Sequence, residues 1–84
     1  MKMATKEQVS AELVRMGFSA SDSEALADCM VNGNSLSWVN ADPVDDSMLE
    51  LLNKFIEVNN ANIEVSVNEI ATRGKYMWDV KSKK

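Results

Sequence analysis

The segment Asp42–Asn59, DPVDDSMLELLNKFIEVN, constrains the fold of this chain more than any other stretch. An Asp followed directly by Pro is typical of the first residues of a helix. The apolar residues after them recur every three or four positions and form one wide stripe, namely Val44, Met48, Leu51, Leu52, Phe55 and Ile56. This spacing predicts a central helix, at about Asp42–Asn59, on which the other elements pack.

Two further helices are predicted before the central one. Thr5 with Gln8 forms a capping box at the start of the first helix, which ends at Gly17. The second helix is expected between Ser21 and Gly33, because Ser favours helix starts and Gly tolerates the left-handed backbone that follows many helix ends.

The remaining segments are more ambiguous. Asn34–Ala41, NSLSWVNA, reads as a loop or a single helical turn. Ser66–Val80 carries apolar residues at helical spacing and predicts a last helix, with an extended tail from Lys75 as the alternative. Asn62–Val65 alternates apolar and polar residues, so a short extended piece is also open there.

Together these signals predict an all-α fold, either a small four-helix bundle or an orthogonal helical array around the central helix. A length of 84 residues allows one domain, so we expect 1–84 to form a single helical domain. Its ends, 1–4 and 81–84, are expected to fray.

Composition excludes several protein classes. The chain is 45% hydrophobic and 26% charged, which is typical of a folded globular protein rather than a disordered one. No apolar run approaches the ~20 residues that cross a bilayer, so no membrane association is expected. Cys29 is the single cysteine and cannot form an internal disulfide, which favours a reducing, cytoplasmic location.

The residue types needed for catalysis are scarce. The chain has no histidine, no Gly-rich phosphate loop and no histidine partner for Cys29, so we expect a protein that is not an enzyme. One cysteine without histidine argues against a zinc site. The acids near position 45 do not follow calcium-loop spacing, and neither a metal nor a cofactor is expected.

Charge is distributed unevenly along the chain. The formal net charge is −4, and Met16–Asn53 contains no Lys or Arg. Acids at helix starts offset the helix dipole, but they do not explain the lack of bases. The resulting acidic surface either keeps the protein soluble or matches a basic surface on a partner. Its candidate residues are Asp42, Asp45, Asp46 and Glu50, with Asp22, Glu24 and Asp28 behind them; Trp38 and Tyr76 are candidate aromatic anchors.

These observations favour a small, acidic, cytoplasmic protein-binding module that acts as an adaptor or inhibitor. One form is an acidic decoy that occupies the nucleic-acid site of another protein. An alternative is a structural or assembly subunit that acts through homo-oligomerisation, since the central apolar stripe is wide. A further alternative is nucleic-acid binding through the basic end, Arg73–Lys84, although the acidic body disfavours direct nucleic-acid contact.

The segment from Leu13 to Ser19, LVRMGFS, followed by Ala25-Leu26 and Asn32-Gly-Asn34, resembles the front half of ubiquitin-associated domains. The resemblance implies that Met16, Gly17 and Phe18 form a ubiquitin-binding loop. It covers fewer than half of the residues. The third helix of that family is expected directly after Asn34, whereas here a new helix start follows at Pro43, so we do not assign the chain to the family.

Overall fold

The structure is a computed structural model that describes residues 5–70 and 74–83. Its elements are α1 (Lys6–Arg15), α2 (Ala20–Asn32), β1 (Leu36–Asn40), α3 (Asp46–Val58), β2 (Ile63–Glu69) and β3 (Tyr76–Ser82). The strands form one antiparallel sheet in the order β1-β3-β2. The prediction of an all-α bundle or orthogonal helical array was therefore wrong, and the fold is mixed α/β.

The first two helices follow their local signals. The capping box at the start of α1 is confirmed, since the backbone N–H of Gln8 donates to Thr5 Oγ1 over 3.3 Å and that of Thr5 donates to Gln8 Oε1 over 3.1 Å. α2 begins earlier than predicted, because Ser19 caps it by accepting from the Asp22 N–H over 3.1 Å. Gly33 ends α2 in the left-handed conformation, with φ of 70°.

The central helix exists but is shorter than predicted. Asp45, rather than Asp42, is its N-cap, and its Oδ1 accepts from the Met48 N–H over 2.9 Å. Asp42 belongs to a turn after β1, where its N–H donates to Asn40 Oδ1 over 3.1 Å. The same residue type serves both caps and turns, which explains the misplaced start.

The predicted helix at Ser66–Val80 is wrong, because this segment contributes to β2 and β3. Apolar and polar residues alternate along both strands, and this period of two places one set on each face of the sheet. Gly74, with φ of 73°, lies in the connection between the strands, and the Ile70 N–H donates to the Lys75 carbonyl over 2.9 Å. Residues 71–73 of the predicted helix lie outside the described residues.

The segment Asn34–Ala41, expected to be a loop or helical turn, contains β1. Fraying was predicted for 81–84, but β3 extends to Ser82, and the Lys83 N–H donates to the Asn62 carbonyl over 2.9 Å. Lys84 and the other predicted frayed end, 1–4, lie outside the described residues.

The core lies between the helices and one face of the sheet. Trp78 of β3 is fully buried, and its ring lies 5.8 Å from that of Phe18 in an edge-to-face arrangement. Trp38 stacks on Trp78 at 5.1 Å with an interplanar angle of 9°, and the two residues are directly paired in the sheet. The other buried apolar residues include Val9, Leu13, Leu26, Cys29, Met30, Leu52, Ile56, Ile63 and Val80.

The opposite face of the sheet carries mainly polar residues. Ser37, Asp79 and Ser66 lie in one row across the three strands, and Val39 and Met77 are paired in the next row. Among the helices in the described part of the chain, none is long and apolar enough to cross a membrane.

Candidate protein-binding surface

Asp22, one of the predicted interface acids, is fully buried. Its Oδ1 accepts a hydrogen bond from Trp38 Nε1 over 2.8 Å and another from Asn40 Nδ2. The carboxylate therefore connects the first turn of α2 to β1. In this position Asp22 cannot contact a partner, so the structure removes it from the predicted acidic face.

Glu24 and Asp28 lie one turn apart on α2. Glu24 Oε1 is 3.9 Å from Lys6 Nζ on α1. Asp28 accepts from Asn32 Nδ2 over 2.7 Å and from Asn34 Nδ2 over 3.2 Å, so it helps to secure the C-terminal end of α2. Both residues already have partners within the molecule and are weaker candidates for an interface.

The other four predicted acids remain together at the start of α3. Asp45, Asp46 and Glu50 are exposed and Asp42 is half-buried; we call these four residues the α3 acidic end. No described Lys or Arg side chain lies within ion-pair distance of any of them.

The α3 acidic end lies next to the turn between α1 and α2. A Cβ placed on Gly17 would be 3.6 Å from Met48 Cε in the first turns of α3. The C-terminal end of α1 and the N-terminal end of α3 are therefore close to each other.

The two candidate aromatic anchors are only half-buried, but they belong to the sheet. Trp38 is held by its stack on Trp78 and its hydrogen bond to Asp22. Tyr76 is paired between Asn40 and Glu69 in the middle of the three strands. Trp38 therefore has a structural role that accounts for its position without a partner.

An open apolar groove separates α1 from α3. It has a volume of about 600 Å³. Its lining residues are Gln8, Val9, Ala11, Glu12 and Arg15 of α1 with Phe55, Val58 and Asn59 at the end of α3. We call it the α1–α3 groove.

The α3 wall of the groove continues as an exposed apolar stripe. Leu51, Phe55 and Val58 are spaced by four and three residues and so lie on one side of the helix. Leu51 is 51% exposed and Val58 is 59% exposed, which leaves two large aliphatic side chains facing solvent. The wide stripe in the sequence indicated this excess of apolar surface, but the pattern did not show which residues α1 would leave uncovered.

Charged groups border the groove. Arg15 and Glu12 form an exposed ion pair of 3.5 Å on the α1 wall. Lys54 lies one turn from Leu51 and Val58 on α3, so basic residues occur along the groove, whereas the α3 acidic end lies beyond Leu51. The surface thus combines an apolar stripe with an acidic patch at one end.

Cys29 is fully buried. Burial raises the pKa of its thiol, and the negative charge of Asp28 raises it further. A protonated, enclosed thiol is a poor nucleophile.

The described residues contain no group of three or more His, Cys, Asp or Glu side chains arranged to hold a metal ion. The basic end of the chain, to the extent that it is described, is part of the sheet. Lys81 lies in β3, 3.8 Å from Asp79, and Lys83 follows directly. Trp78 is buried and cannot stack on a nucleic-acid base.

Comparisons with protein-family models, curated proteins and solved structures found no match. The resemblance to ubiquitin-associated domains is limited to the first two helices. Phe18 of the expected ubiquitin-binding loop is buried against Trp78, and β1 occupies the place of that family's third helix.

Proposed function

We propose that this protein is a small, non-catalytic module that binds another protein through the α1–α3 groove and the α3 acidic end. The exposure of Leu51 and Val58 beside an open apolar groove is the observation that carries this proposal. Protein interfaces are typically organised in this way, with a central apolar cluster and a polar rim.

The apolar stripe supplies the binding energy. Full burial of a Val or Leu side chain contributes about 1.5–3 kcal/mol, and Leu51 and Val58 retain roughly half of that potential. Phe55 is partly buried and forms the aromatic wall between them. A few residues of this kind usually dominate the affinity of an interface.

The shape of the groove favours a helical segment of the partner. Two helices with an apolar channel between them match the recognition mode in which an amphipathic helix places its apolar face in a groove. The α3 acidic end favours a partner segment with basic residues at one end, because complementary charge speeds association and sets orientation. In this proposal the module acts in cells as an adaptor or inhibitor. Proteins that bind nucleic acid have basic surfaces, so they are one class of target that the acidic end favours.

A cytoplasmic location is part of the proposal. It rests on Cys29, a lone buried thiol with no cysteine to pair with in the sequence.

Affinity capture from a lysate of the source cells tests the proposal. The wild-type protein is compared with the double variant Leu51→Ser/Val58→Ser and with a control, Val31→Ser, which changes an exposed residue on α2. We expect the wild type and the control to recover the same partner and the double variant to lose it. Equal recovery by all three proteins would contradict the groove as the binding site.

The acidic end is tested separately with the double variant Asp45→Asn/Asp46→Asn. Asn keeps the cap of α3 while removing charge, so the helix start is retained. We expect slower association with the captured partner and a weaker dependence of the rate on salt. If the captured partner binds nucleic acid, the wild-type protein should compete with that nucleic acid; simultaneous binding would exclude the decoy mechanism.

A further inference from the structure

β1 forms one edge of the sheet, and its outer side has no backbone partner among residues 5–70 and 74–83. The strand is hydrogen-bonded to β3 alone. The backbone hydrogen bonds outside the helices and strands do not involve residues 36–40. An edge of this kind offers a row of N–H and C=O groups to which another strand can bind.

β1 lacks the features that normally protect an edge strand. Leu36–Asn40 contains no charged residue and no proline, and its pairing with β3 runs without a bulge over five residue pairs. Leu36 is 41% exposed and Val39 is 51% exposed. Proteins usually place Lys, Pro or a bulge on such a strand to prevent pairing between molecules.

The opposite edge of the same sheet is protected by charge. β2 contains Glu64 and Glu69, and charged side chains on an edge strand discourage pairing between molecules. Because each chain has a formal net charge of −4, two copies repel each other over most orientations. The uncharged β1 is therefore the edge that is less protected against a second copy.

We propose that two copies of this chain associate through β1, antiparallel about a twofold axis at Trp38, to form a six-stranded sheet. This register alone pairs all five residues of both strands, with Ser37 of one copy opposite Val39 of the other. The outer-face row of Met77 and Val39 in each copy then continues into Ser37 and Asp79 of the other copy, so no like charges face each other directly across the junction. The contact is isologous, as is usual for homodimers.

The dimer uses a different surface from the α1–α3 groove, so either proposal can fail without the other. The two also differ in their response to salt. Added salt screens the repulsion between two acidic copies and strengthens the dimer, whereas it weakens the charge-assisted part of partner binding at the α3 acidic end.

The experiment is light scattering with size-exclusion chromatography over a wide range of loading concentrations, using a matched pair of variants. Ser37→Lys and Ser66→Lys place the same new charge in the same row of the sheet, each beside Asp79, but on opposite edge strands. We expect the wild type and Ser66→Lys to approach twice the 9.3 kDa chain mass at high concentration. We expect Ser37→Lys to stay a monomer.

Amide hydrogen exchange gives an independent measurement. The backbone amides on the outer side of β1 should become more protected from exchange as the protein concentration rises in the wild type. In Ser37→Lys their protection should stay low. A wild type that is monomeric at every concentration would overturn the proposal. So would loss of the dimer in Ser66→Lys alone, or a dimer that persists unchanged in Ser37→Lys.

Discussion

The indole Nε1 of Trp38 donates a hydrogen bond to the fully buried carboxylate of Asp22 over 2.8 Å. Asn40 donates to the same oxygen, so two residues of β1 hold one residue of α2. A buried carboxylate is costly unless donors surround it. This link therefore fixes the first turn of α2 against the edge of the sheet.

Replacing Asp22 should destabilise the fold strongly. In Asp22→Leu the donors on Trp38 and Asn40 lose their acceptor inside the protein, and we expect the free energy of unfolding to fall by about 3 kcal/mol. Asp22→Asn keeps a carbonyl oxygen for these donors and should cost about half as much. Urea denaturation measures both values, and an equal loss in the two variants would show that the acceptor is unimportant.

The hydrogen bond of Trp38 can be separated from its stacking. Trp38→Phe retains an aromatic ring on Trp78 but removes the donor, so the expected loss of stability is about 1–2 kcal/mol. A double-mutant cycle with Asp22→Leu, which removes the acceptor, should give a coupling energy of about 0.5–3 kcal/mol. Additive effects of the two substitutions would mean that the indole N–H contributes nothing through Asp22.

Cys29 should be unreactive in the folded protein. Burial and the neighbouring Asp28 raise the pKa of the thiol, so the thiolate fraction at pH 8 is smaller than in the unfolded chain. We expect a disulfide reagent that reports thiol release to react many times more slowly under native conditions than in denaturant. Equal rates would show that α2 opens readily.

The same shift has a defined effect on stability. Because the pKa of Cys29 is higher in the folded state than in the unfolded state, ionisation of the thiol above its ordinary pKa of 9.0 favours unfolding. The free energy of unfolding should therefore fall as pH rises above about 9. Cys29→Ala should reduce this slope, and a slope identical to that of the wild type would contradict the contribution of the thiol.

Substitution of Gly33 should lower the stability of the protein because of the backbone conformation at this position. Its φ of 70° is left-handed, and beyond the adjoining residues of the chain nothing lies within 4 Å of the position that a Cβ would take. Gly33→Ala should therefore cost about 1 kcal/mol through strain rather than through a clash. Asn adopts this conformation more readily than Ala. Thermal unfolding should therefore show the wild type as most stable, Gly33→Asn as intermediate and Gly33→Ala as least stable.

The cap of α3 gives a matched comparison at the proposed interface. Asp45→Ala removes the acceptor for the Met48 N–H, and the expected loss of stability is about 1 kcal/mol. Asp45→Asn should leave stability nearly unchanged. Similar unfolding curves for both variants would show that the cap contributes little.

The sequence correctly predicted the helix starts and ends that depend only on a few neighbouring residues. The capping box of Thr5 and Gln8 and the left-handed end at Gly33 require only a few consecutive residues, and both are present. The apolar period of α3 also predicted its existence, although the first of several aspartates was taken as the cap instead of Asp45.

The strands were missed because their stability depends on distant partners. Leu36 pairs with Val80, which is more than forty positions away, and no local pattern encodes that contact. The predicted helix counted Val67 and Ile70 on the same face as Met77 and Trp78. That count holds only for one continuous helix, whereas the chain reverses direction near Gly74. The signal for the strands was the alternation of apolar with polar residues. It occurs in β2 at Ile63, Val65 and Val67, and in β3 at Tyr76, Trp78 and Val80.

The candidate site was predicted in part. Asp45, Asp46 and Glu50 are exposed and close in sequence, as an acidic surface requires. Asp22 was included because acids usually face solvent, and its partners on β1 could not be foreseen while that segment was taken as a loop or helical turn. The exposure of Leu51 and Val58 depends on where α1 packs, which helical periodicity does not specify.

The position of β3 also has a consequence for synthesis. β3 is the central strand and supplies Trp78 to the core, yet it is the last element of the described chain. While the ribosome has released only the residues before it, β1 and β2 have no strand between them and Trp38 has no ring on which to stack. α1 and α2 can pair early, but the sheet must wait until β3 has left the ribosome. During that interval the nascent strands are the segments that a chaperone would need to shield.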